Sequence, residues 1–144
     1  MRFWDSSAIV PLCLDQPNSG AMRIFLVEDR SMAVWWGSPI ECWSAFARLR
    51  REGELRPEDE DTAKSLLAVL QEAWTEIQPS EEVRVQAARV LRIHPLRSAD
   101  ALQLAAALVW AGSPPRGEIV VFDRRVQEAA RLEGLTPRPW AHDL

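Results

Sequence analysis

Two short, unbroken apolar runs, each ended by an aspartate, do most to limit what this chain can become. Phe3-Trp4 runs into Asp5, and Ile119-Val120-Val121-Phe122 runs into Asp123. A strand with one wet face alternates apolar and polar residues, whereas a strand covered on both faces is apolar throughout. Both runs therefore read as covered strands, the first beginning at Arg2, and Met32 to Trp36 reads as a third. Between and after them lie an apolar-rich stretch up to Leu14 and segments with helical spacing. These are Ala21–Val27, Pro39 to about Arg51, a segment opening at Pro57, one capped by Ser80 and running to about Ile93, one from Ser98 to Ala111, and Arg124–Glu133. Glu76-Ile77 is a short extended piece. Thr136–Trp140 is a last strand, which Pro137 and Pro139 confine to a sheet edge. Strands alternating with helices predict an α/β three-layer sandwich around a mostly parallel central sheet. The 144 residues, without repeats or a linker, fit a single domain spanning 1–144.

Composition narrows the partners. A net charge of −4 argues against a generic basic nucleic-acid binder. Lys64 is the sole lysine, so the positive charge is nearly all arginine, whose planar fork suits phosphate and keeps local basic patches open. No apolar run approaches the roughly 20 residues that cross a bilayer. Met1 to Asp5 lacks the apolar centre of a signal peptide, and the expectation is a cytoplasmic protein. Cys13 and Cys42, without CxxC spacing, read as buried reduced thiols. His94 and His142 are too few for a zinc enzyme, His94 beside Pro95 reads as a helix-end residue, and no GxSxG elbow supports a serine nucleophile.

Ligands of parallel sheets bind outside the carboxyl ends of the strands, which is where Asp5 and Asp123 stand. Glu41 and Asp100 open predicted helices. Each acid has a structural explanation. Asp5 and Asp123 can cap the helices that follow them. Ser38-Pro39-Ile40-Glu41 fits a capping box, with Ile40, Trp43, Phe46 and Ala47 then facing inward. Asp100, two residues past Ser98, complements a helix dipole. Leu66, Leu67, Leu70 and Trp74 form an apolar stripe of the ordinary core type. If the helix starts converge at one sheet edge, their like charges raise each other's pKa unless a cation neutralises them. Magnesium or manganese, which take hard oxygen ligands, would do so.

Four motifs carry a family likeness. They are Phe3-Trp4-Asp5-Ser6-Ser7-Ala8, then Ser38-Pro39-Ile40-Glu41-Cys42-Trp43-Ser44-Ala45, then Leu96-Arg97-Ser98-Ala99-Asp100-Ala101-Leu102-Gln103-Leu104-Ala105, and Phe122-Asp123-Arg124-Arg125-Val126-Gln127-Glu128-Ala129-Ala130 followed by Gly134-Leu135. In that order and spacing, from about Arg2 to Arg138, the chain resembles PIN-domain ribonucleases of the VapC toxin type. The resemblance implies a PIN-like fold and metal-dependent hydrolysis of RNA phosphodiester bonds by an activated water. It implies Asp5 and Asp100 as the principal ligands of Mg2+ or Mn2+. Glu41 would complete the shell or hold a water, and Asp123 would support a second metal or orient water. Ser6 would hydrogen-bond a ligand carboxylate. It further implies a homodimer and a cognate antitoxin partner, for which Ile24, Phe25 and Trp43 are candidate surfaces if they are not core. Arg48, Arg50, Arg51, Arg97, Arg116, Arg124 and Arg125 could guide phosphate, solvated charge being the ordinary reading. Two departures stand out: Gln103 where the family often has histidine, and Val121 where it often has serine or threonine.

Three rival readings remain open. A phospho-acceptor receiver domain also gathers acids at strand ends, but it usually needs an acidic pair after the first strand and a late lysine. Here Ser6 and Ser7 follow Asp5, and Lys64 is mid-chain. A haloacid-dehalogenase-type phosphatase needs a second aspartate where Ser7 stands. A PIN-like fold kept only for binding, without catalysis, is the third.

Overall fold

Phe3 and Trp4 are neighbours in a strand, so their side chains leave on opposite faces. Both are completely buried. Phe3 enters one core with Ala33, Ile119 and Leu104, and Trp4 enters another with Val34, Val120 and Ile9. A sheet with a core on each face is the middle layer of a sandwich.

The computed structural model describes residues 1–139; Trp140 and His142 lie outside the described residues. The elements run β1 (Arg2–Trp4), α1 (Ser6–Cys13), α2 (Ser19–Glu28), β2 (Met32–Trp35), α3 (Ser38–Arg51), α4 (Pro57–Ala73), β3 (Thr75–Ile77), α5 (Glu81–Ile93), α6 (Ser98–Ala111), β4 (Glu118–Val120), α7 (Arg124–Leu132) and β5 (Thr136–Arg138). The five strands among the described residues lie in the order β3-β2-β1-β4-β5, and every pair is parallel. Residues of α1 to α4 build the core on Trp4's side, and those of α5 to α7 build the core on Phe3's side. From β1 the chain walks outward to β3, then crosses to the other flank of β1 to lay down β4 and β5. The order therefore reverses between β1 and β4. A crevice opens at such a reversal, outside the strand ends, and ligands of α/β sheets bind there.

Helix starts follow the local chemistry. Ser80 caps α5 by accepting from Val83 N at 3.2 Å, and Pro57 opens α4 with Glu58, Asp59 and Glu60 in its first turn. Glu60, buried, also ion-pairs with Arg50 and with Lys64 (3.2 Å), which ties α4 to α3. Leu67 of α4 and Trp74 just past its end are buried while Leu66 stays exposed, so the apolar stripe is narrower than its sequence. Pro137 sits in β5 at one edge of the sheet, paired with Ile119. Among the described residues no helix is long and apolar enough to cross a membrane.

The inward face of α3 corrects the sequence expectation. Ile40 (55% exposed) and Trp43 (45% exposed) face outward, while Cys42 and Phe46 are fully buried. Two stripes compete on this helix. Ile40, Trp43 and Ala47 share one face, and Cys42, Phe46 and Leu49 share another, each at helical spacing. The second packs against Trp4's core. Phe46→Ala is expected to cost about 3–5 kcal/mol. Trp43→Ala should stay within about 1 kcal/mol, as surface substitutions do. Urea denaturation of the two variants checks the assignment, and the reverse ranking would overturn it.

Candidate active site

The site grows from the reversal between β1 and β4. Asp5 N donates to Val120 O at 3.0 Å, pinning the end of β1 to the end of β4. The chain then turns into α1, and the Asp5 carboxylate accepts from Ser7 N at 2.9 Å as the cap of that helix. Ser7 Oγ accepts from Phe122 N at 3.0 Å, which fastens the first turn of α1 to the segment carrying Asp123. Asp123 caps α7, its Oδ1 accepting from Arg125 N (2.9 Å) and Val126 N (3.1 Å). Asp100 lies in the first turn of α6 and accepts from Arg97 N at 3.3 Å. Capping and a shared cleft thus coexist at these positions.

Glu41 departs from expectation. No capping box forms on α3: the helix begins at Ser38 itself, and Gly37 precedes it without a side-chain cap. A Cβ on Gly37 would stand 2.5 Å from Trp35 Nε1, which is why glycine occupies this tight turn. Ser38 Oγ instead accepts from Gln103 Nε2 at 2.9 Å. Glu41 accepts from Ser6 Oγ at 3.1 Å on one oxygen and from Gln103 Nε2 at 2.8 Å on the other. Gln103 is 1% exposed, and its own Oε1 is buried without a hydrogen-bond partner. The sequence marked Gln103 only as a departure from a family pattern. Here it fixes Glu41 from behind, together with Ser6 from the side.

Asp5, Glu41, Asp100 and Asp123 all line one open cleft of about 710 Å³, with Ser6, Ser7, Ser44 and Arg48 among its other walls. Burial pushes the Asp5 carboxyl up to about 6, against hydrogen bonds from Ser7, and the charges of Asp100 and Asp123 push the same way. Burial likewise lifts Glu41 to about 7 against the hydrogen bond from Gln103, with the charges of Asp5 and Asp100 adding to the rise. None of the four acids forms an ion pair among the described residues. The cleft therefore gathers four carboxyl groups that no ion pair among the described residues neutralises. A donor set made only of carboxylate oxygens fits a hard divalent cation. The fit is to the chemistry of the set: among the described residues, no three His, Cys, Asp or Glu side chains are grouped closely enough to hold a metal ion.

Other candidates fall outside this cleft. His94 ends α5, buried, with its Nε2 2.9 Å from Glu133, which also pairs with Arg89. Cys13 and Cys42 are free and buried, and burial pushes the Cys13 thiol up to about 12 and Cys42 upward as well. Lys64 is held on α4 by Glu60 and does not line the cleft. Val121 is part of the core.

The fold that sets out this cleft is PIN-like: a five-stranded parallel sheet flanked by seven helices among the described residues. No family model matches the sequence, and no curated protein matches it. Among solved structures, the chain is similar to the crystal structure of FitAcB from Neisseria gonorrhoeae. The TM-score is 0.65, with 15% sequence identity over 95% of this chain and 96% of that one. At that identity the likeness is one of fold.

Asp5 gives the cleft a measurable signature. Its pKa is raised in the folded protein, so folded Asp5 holds its proton more tightly than unfolded Asp5 does. Stability is then lost as pH rises from the ordinary value of 3.8 through about 6. Asp5→Asn keeps a capping oxygen and removes the charge. Without divalent cation, the variant is expected to exceed the wild type by on the order of 1–3 kcal/mol near pH 7.5. The gain should vanish toward about pH 4, where both side chains are neutral. Denaturant titrations at the two pH values check this, and an equal gain at both would rule it out.

Proposed function

We propose that this chain is an endoribonuclease dependent on Mg2+ or Mn2+ and the toxin of a VapBC-type toxin–antitoxin pair. The observation that carries the reading is the uncompensated set of four carboxylates in one cleft at the reversal of the sheet. The fold shared with FitAcB and the four VapC-like motifs support the toxin class. The cytoplasm is the compartment in which such a toxin would meet its RNA.

Asp5, Asp100 and Glu41 would hold the cation, and Asp123, exposed at the rim, would support a second ion or orient water. A bound divalent cation supplies positive charge to the phosphate and lowers the pKa of water. The chain's own part is positional. Ser6 and Gln103 fix both oxygens of Glu41, so this carboxylate can hold a water on one side of the cleft for in-line attack. Ser7 keeps the carriers of Asp5 and Asp123 in register. An antitoxin and a second copy of the chain are the protein partners this reading entails. Ile24, Val27, Ile40 and Trp43 offer exposed apolar surface for them. Phe25, by contrast, belongs to the core.

A PIN-like module that binds without cutting is the second reading, favoured by the absence of a ready three-ligand grouping among the described residues. Structured and unstructured RNAs incubated with the protein separate the two. Cleavage is expected with Mg2+ or Mn2+, abolished by chelator, and reduced on the order of 100-fold or more by Asp100→Asn. Chelator-resistant cleavage, or full activity in that variant, would sink the metal mechanism. Binding without cleavage in either ion would favour the second reading.

A further inference from the structure

Beside the acid cleft lies a second one of about 420 Å³, lined by Arg97, Asp100, Asp123, Arg124 and Arg125. It shares two of the four acids with its neighbour, so the two clefts adjoin. Its arginines are placed against ordinary electrostatics in two ways. First, Arg124 and Arg125 are the opening residues of α7, and Arg97 immediately precedes α6. Cations are disfavoured there, because the amino end of a helix carries partial positive charge. Second, none of the three closes on a carboxylate among the described residues, although Asp100 and Asp123 line the same cleft. Seven of the other thirteen arginines do so among the described residues, as Arg89 with Glu133 and Arg131 with Glu128, and none of the remaining six stands on a helix start in a cleft with Asp100 and Asp123. All three side chains are exposed.

We infer that Arg97, Arg124 and Arg125 form a phosphate subsite that seats a backbone phosphodiester of RNA adjoining the acid cleft. An approaching phosphate resolves both conflicts at once: it is the counter-charge the guanidinium groups lack, and it favours the positive helix ends beneath them. The subsite also answers a difficulty of the acid cleft, whose negative charge repels a polyanion. A basic wall next to it lets the strand bind through one phosphate while another is presented to the acids. The identity of the polyanion rests on the ribonuclease reading, but the subsite is testable without catalysis.

The test is fluorescence anisotropy of a short labelled oligouridylate with the full chain in chelator, across a salt series. Each phosphate neutralised on a single strand contributes about −0.7 to the slope of log K against log salt, so three arginines contribute about −2. The Arg97→Ala/Arg124→Ala/Arg125→Ala variant is expected to bind about tenfold more weakly or worse at low salt, with its slope shallower by about 2. Its melting temperature should be unchanged or raised, because unfavourable helix-end charges have been removed. The control removes arginine charge elsewhere, by Arg23→Ala/Arg30→Ala, neither of which lines either cleft. The control is expected to keep most of the affinity. An equal loss in the control, an unchanged slope in the test variant, or no binding by the wild type at low salt would overturn the subsite. So would arginine-dependent capture of an oligoglutamate peptide in preference to the RNA, which would make the partner an acidic protein segment. Loss of RNA cleavage with intact, arginine-dependent binding would leave the subsite standing and remove only the catalytic reading.

Discussion

The hydrogen bond from Asp5 N to Val120 O is small, yet the arrangement of the molecule turns on it. β1 is three residues long, and its two aromatic side chains feed separate cores. The strand must therefore be covered on both faces and flanked on both edges. Flanking it by β2 on one edge and β4 on the other requires the chain to reverse its direction of growth. The crevice is a consequence of that reversal, and the bond lies at its floor. Asp5 stands one position beyond β1 and Asp123 three positions beyond β4, and both line it.

Carboxylates are tolerated there because the backbone supplies partial positive charge. Asp5, Asp100 and Asp123 each accept from main-chain N–H groups at a helix start. Glu41 lacks this and takes side-chain donors instead. That compensation is incomplete where burial is deepest, and Asp5 and Glu41 carry the strain as raised proton affinity. Opposing charges then sit side by side: Asp100 and Asp123 line both clefts, and Arg97, Arg124 and Arg125 stand on the same helix starts.

Much of this was legible in the sequence because it depends on local chemistry. Apolar runs ending in aspartate marked β1 and β4. Ser80 and Pro57 marked helix starts. Pro137 marked an edge. What was not legible depends on competition between equivalent patterns. Ile40, Trp43 and Ala47 make as good a stripe as Cys42, Phe46 and Leu49, and only tertiary contacts with the core around Trp4 choose between them. Ser38 and Glu41 have the spacing of a capping box, but Gln103, 62 residues from Glu41 in sequence, claims both side chains. Spacing along a chain says nothing of a donor arriving from another helix. The segment after Asp5 read only as apolar, since α1 is buried almost all round and shows little periodicity. The arginines around Arg97 and Arg124 looked like ordinary surface charge until their cleft was visible.

The proline in β5 has a consequence at the scale of assembly. Thr136 and Arg138 turn their main-chain groups toward the β4 side, bonding Gly117 O and Val121 N. By alternation, residue 137 faces outward, and there proline offers no N–H. The outer rim of this strand is therefore mute as a hydrogen-bond donor, and a neighbouring chain cannot be stitched on in register. At the opposite rim β3 is only three residues long. Growth of the sheet from molecule to molecule is discouraged at both rims.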